Sequence, residues 1–87
     1  MRKYYYKGAI KCISDYYSMA MFDFNIEKIK ARARIEAKEA EGHPFWEAKR
    51  LEIRKYNIAD KKFIGKDIYT IKNGRLYYKE TSNVEAY

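Results

Sequence analysis

The chain has 87 residues, 47% hydrophobic and 36% charged, with 19 Lys and Arg against 12 Asp and Glu and a formal net charge of +7. That length supports one hydrophobic core and excludes two, and no uncharged run approaches the roughly 20 apolar residues of a membrane helix. One cysteine, Cys12, excludes an internal disulfide, so a reducing, cytoplasmic setting without membrane association is expected.

Residues 3–13 alternate, with Tyr4, Tyr6, Gly8, Ile10 and Cys12 to one side and Tyr5, Lys7, Ala9, Lys11 and Ile13 to the other. Tyrosines and β-branched residues in that pattern predict a strand. After a turn at Ser14-Asp15, residues 16–24 predict a second strand, paired with the first as a hairpin. It shows Tyr16, Ala20, Phe22 and Phe24 on one face and Tyr17, Met19 and Met21 on the other. Two apolar faces suggest a central strand covered on more than one side.

Asn25 is a good N-cap for a helix running to about Glu41, with Gly42 as its stop. Period-two spacing over 29–37 would also allow a strand, but the alanines interleaved with Glu, Lys and Arg favour helix. Ile26, Ile29, Ala33, Ala37 and Ala40 then share one narrow stripe, small enough for close approach to a sheet. Residues 44–57 are ambiguous. Pro44 and the run from Glu47 to Glu52 suit a helix, yet a strand puts Leu51 and Ile53 on one side, and strand is preferred. Asn73-Gly74, between the alternating runs 68–72 and 75–79, predicts a hairpin with a two-residue type I′ turn. The expected fold is α+β: a small antiparallel sheet in the order ββαβββ with one long helix on one face. The alternative is ββααββ, with a second helix at 44–56. A single domain is expected over 1–80, with a frayed tail over 81–87.

In a two-residue hairpin Lys72 faces Arg75, Thr70 faces Tyr77 and Ile68 faces Lys79. The other face, with Tyr69, Ile71, Leu76 and Tyr78, is core-like. Tyr5, Lys7 and Lys11 of the first strand would join Lys72, Arg75, Tyr77 and Lys79 in a basic surface with interleaved tyrosines. Binders of single strands use such surfaces, cations following phosphates while aromatic rings stack on bases. Lys28, Lys30, Arg32 and Arg34 fill the first half of the helix, against its dipole, and form a second candidate patch. Phe45, Trp46, Met19 and Met21 are candidate anchors for a protein partner or a homodimer.

Catalytic patterns are thin. His43 is the single histidine and Cys12 falls on a core-like face. The Glu-x-Lys elements at 36–38 and 47–49 occur in some metal-dependent nucleases, which need a strand position and a nearby acidic ligand. The first copy falls on the predicted helix, and Asp23 is the only plausible upstream partner. The expectation is a non-enzymatic protein without cofactor or metal that binds nucleic acid, DNA or RNA, or an acidic protein surface. The alternative is a small interaction protein, of the kind viruses and phages encode, that inhibits a host protein such as a defence nuclease.

Overall fold

The computed structural model describes residues 2–83, with side chains as far as Tyr78. Five strands, β1 (Tyr4–Cys12), β2 (Tyr17–Asp23), β3 (Ala48–Asn57), β4 (Phe63–Lys72) and β5 (Arg75–Asn83), form one antiparallel sheet in the order β2-β1-β3-β4-β5. The helix α1 (Ile26–Glu39) lies across one face. This is the expected ββαβββ arrangement. The alternative helix at 44–56 does not form. Leu51 and Ile53 are both buried on the helix-covered face, where strand alternation puts them together and a helix would have split them.

Asn25 accepts a hydrogen bond from the Glu27 amide at 2.9 Å, capping α1 as its sequence predicts. The stripe Ile29, Ala33 and Ala37 is buried against Ile10, Met21, Leu51, Ile53, Tyr69 and Ile71. Close approach is tightest at Gly8, where a Cβ would come within 2.6 Å of Ile29 Cγ2. Gly8 therefore sets how deeply the helix sits.

β2 is an edge strand, which corrects its expected central position. The chain has one helix among the described residues, so only one face of the sheet is covered, and Ala20 and Phe22 are left exposed on the other. A bulge also changes the facing of Tyr17. Ile10 pairs with Met19 but Lys11 pairs with Tyr17, so Ser18 is the extra residue and Tyr17 turns away from Met19 and Met21. Each of the other three ladders carries one irregularity as well. In the β4–β5 ladder it lies between Ile68 and Tyr69. Ile68 therefore stands opposite Glu80, and Lys79 is the extra residue rather than the partner of Ile68.

The Asn73-Gly74 turn has positive φ at both residues (53° and 72°), as a type I′ turn requires. Lys72 pairs with Arg75 and Thr70 with Tyr77, as expected. Strand β5 extends to Asn83, opposite Gly65, so the tail expected from Thr81 is paired through 83. Residues 84–87 lie outside the described ones. No helix among the described residues is long and apolar enough to cross a membrane.

Candidate nucleic-acid interface

The face of the sheet opposite α1 is open, and the register fixes what it carries. One cross-strand row runs Phe22, Lys7, Arg54, Lys66, and another runs Tyr17, Lys11, Arg50, Thr70, Tyr77. Lys72 and Arg75 follow at the β4–β5 turn. Seven cationic side chains among the described residues thus share one face. The expected members Tyr5, Lys7, Lys11, Lys72, Arg75 and Tyr77 are all on it, while the side chain of Lys79 lies outside the described residues.

A ladder of aromatic rings crosses one end of this face. Phe24, Phe22, Tyr5, Tyr56 and Phe63 follow one another with centroid separations of 5.5, 5.3, 5.1 and 5.6 Å. Tyr5 and Tyr56 stack at 7°, and Phe22 and Phe24 meet edge to face. Cations sit on the same rings. Lys7 Nζ is 5.3 Å from the Tyr56 centroid and Arg54 Cζ 5.9 Å from that of Phe63, within the range of cation–π attraction. Phe22 keeps 56% of its surface exposed, so its ring is available for stacking.

One carboxylate interrupts the basic field among the described side chains of this face. Glu52, only 8% exposed, pairs with Ala9 and Ile68 in the middle of the sheet. It accepts a hydrogen bond from the Tyr17 hydroxyl at 2.7 Å and lies 3.6 Å from Lys66 Nζ. Burial pushes its pKa up, but the Tyr17 hydrogen bond and the charges of Lys66, Arg50 and Arg54 outweigh this and hold it below the ordinary carboxylate value. Tyr17 is shifted upward, first by its hydrogen bond to Glu52 and then by desolvation and the nearby negative charge. Beside the pair, small side chains at Ala9 and Ala20 leave a shallow hollow of about 560 Å3 between Tyr17 and Phe22. Arg50 Nε is buried without a hydrogen-bond partner.

The helix cations do not extend this surface. α1 covers the other face, and residues two apart on a helix stand about 200° apart. Lys28 and Arg32 therefore flank one side of the buried stripe, and Lys30 and Arg34 the other. Lys30 is also engaged: its Nζ is 3.3 Å from Glu27 and 5.0 Å from the Tyr69 ring centroid. Desolvation lowers its pKa, yet hydrogen bonding to Tyr69 and Glu27 more than offsets this and raises it.

Met19 and Met21 are not exposed anchors. Met21 is buried in the core and Met19 packs against it, because the helix lies over this side of β2. Phe45 and Trp46 are 62% and 45% exposed, on the turn between α1 and β3. That turn is fixed by His43, whose Nδ1 accepts from the Phe45 and Trp46 amides at 3.1 Å each. Cys12 is fully buried. Among the described residues no group of three His, Cys, Asp or Glu could hold a metal ion.

The residues that sequence reasoning missed come from β3, β4 and β2 with the residue just beyond it: Arg50, Glu52, Arg54, Tyr56, Phe63, Lys66, Tyr17, Phe22 and Phe24. A signal for β3 exists in the sequence, since Arg50, Glu52, Arg54 and Tyr56 alternate with Leu51, Ile53 and Lys55. No protein-family model, no curated protein and no solved structure matches this chain.

Proposed function

We propose that the protein binds single-stranded nucleic acid on its open sheet face, without catalysing a reaction. One observation carries this reading: seven cations and a ladder of five aromatic rings share the face that α1 leaves uncovered. Phosphates are attracted by the cations, and unpaired bases stack on the rings at about 1–3 kcal/mol per base. A duplex hides its base faces and would use only the charge. The test is fluorescence anisotropy of labelled single-stranded DNA, RNA and duplex DNA, titrated at two salt concentrations. Tight, salt-sensitive binding with single strands preferred supports the reading; no binding at low salt overturns it.

The exposed pair Phe45 and Trp46 favours a second reading, a small protein that docks on an acidic protein and blocks it. Aromatic side chains of this kind anchor protein interfaces, and the positive field would steer the encounter. Such a protein would leave oligonucleotides unbound and capture one specific partner.

A further inference from the structure

The open face has a feature that simple backbone tracking does not need. A buried carboxylate is costly among phosphates, since it repels the ligand that the surrounding cations attract. Glu52 nevertheless occupies the centre of the face, braced by the Tyr17 hydroxyl and Lys66. It borders the hollow whose floor is Ala9 and Ala20 and whose flanks are Tyr17, Phe22 and Arg54. At about 560 Å3 the hollow falls in the ~300–1,000 Å3 range of small-ligand sites. Tyr17 and Phe22 are both largely exposed and offer π-faces to a planar group.

A carboxylate has about four acceptor positions. Tyr17 and Lys66 engage one oxygen each, leaving capacity on both. Its natural complement is a planar group with two adjacent N–H donors. Among the bases, guanine presents N1–H and N2–H side by side on its Watson–Crick edge. Cytosine and adenine offer only one amino group, next to an acceptor that a carboxylate would repel. Building on the nucleic-acid reading above, we infer that the hollow beside Glu52 takes one unpaired guanine, its Watson–Crick edge on the carboxylate and its plane against Tyr17 or Phe22. Arg54 and Lys7 at the rim then meet the flanking phosphates.

The experiment compares anisotropy titrations of a labelled thymine-rich oligonucleotide with variants carrying one central guanine, inosine, adenine or cytosine. Guanine should bind about 5- to 100-fold more tightly than adenine or cytosine. Inosine, which keeps N1–H but lacks the N2 amino group, should fall between. Glu52→Gln should abolish the preference, and so should Ala20→Leu, which fills the hollow on an exposed edge strand without touching the carboxylate. Circular dichroism confirms that both variants fold. Equal affinity for all four oligonucleotides overturns the guanine site while leaving the backbone-and-stacking reading intact, and so does a preference for adenine or cytosine. A preference that survives both substitutions overturns the site as well. Free guanosine monophosphate separates the base from the strand. Binding of the mononucleotide without binding of any oligonucleotide keeps the pocket and overturns the single-strand reading.

Discussion

Gly8 and Glu52 show how single residues set the two faces of this sheet. On the covered face, Ile29 packs where a Cβ on Gly8 would stand, 2.6 Å from a methyl on a stiff, branched side chain. Gly8→Ala must push α1 away or force Ile29 off its rotamer. A loss of about 1–3 kcal/mol is expected, read as a lower urea midpoint. On the open face, Glu52 is a buried charge stabilised by its neighbours. Its folded pKa lies below the ordinary value, so its contribution to stability is complete above the unfolded pKa and is lost as pH falls through the folded one. Stability should therefore decline as pH falls below the ordinary carboxylate range, and decline less in Glu52→Gln. Tyr17 runs the opposite way: with its pKa raised, its contribution is present below its ordinary value and lost as strong base ionises it. Equal acid dependence in wild type and Glu52→Gln would show that Glu52 does not govern this loss. Tyr17→Phe removes a hydrogen bond to a charged group at a half-exposed site, and should cost about 1 kcal/mol in the same measurement.

On the proposed function, the β4–β5 hairpin and the aromatic ladder would have separable roles. Like charges stand opposite each other at Lys72 and Arg75, a mildly unfavourable pairing that a polyanion would relieve. Reversing both to Glu should leave the fold intact. It should also reduce the log–log salt slope of oligonucleotide binding by about 0.7 for each phosphate that is no longer neutralised. Phe22→Ala, at the exposed part of the ladder, should weaken single-strand binding by about 1–3 kcal/mol while hardly changing the salt slope, because it removes stacking and no charge. A changed slope with unchanged affinity would assign Phe22 some other role.

How far the elements are legible in the sequence follows from local chemistry. The β1 alternation, the Asn25 cap, the alanine stripe and the Asn73-Gly74 turn each depend on neighbours within a few residues, and all form as the sequence predicts. Three features depend on the rest of the chain. The edge position of β2 reflects how many helices exist to cover the sheet. The facing of Tyr17 and the displacement of Lys79 come from bulges, and a bulge shifts register without altering composition. The same limit hides the centre of the site. Arg50, Arg54 and Tyr56 alternate plainly, but their place beside Lys7, Lys11 and Tyr5 comes from β1–β3 pairing across the helix. The helix cations form one patch only when spacing along the chain is considered without the helical rotation that separates them.

For the molecule as a whole, the +7 charge is divided between two faces of different character. Around α1 the cations flank a buried stripe on opposite sides, whereas on the open sheet they converge beside aromatic rings. On the proposed function, this convergence, rather than net charge, makes the interface. The most direct test compares two charge-reversed proteins of equal net charge, Lys72→Glu with Arg75→Glu and Arg32→Glu with Arg34→Glu, in the single-strand anisotropy titration. The hairpin pair should lose affinity markedly, and the helix pair should show only a small, general electrostatic loss. Equal losses, or a larger loss from the helix pair, would contradict the proposed interface.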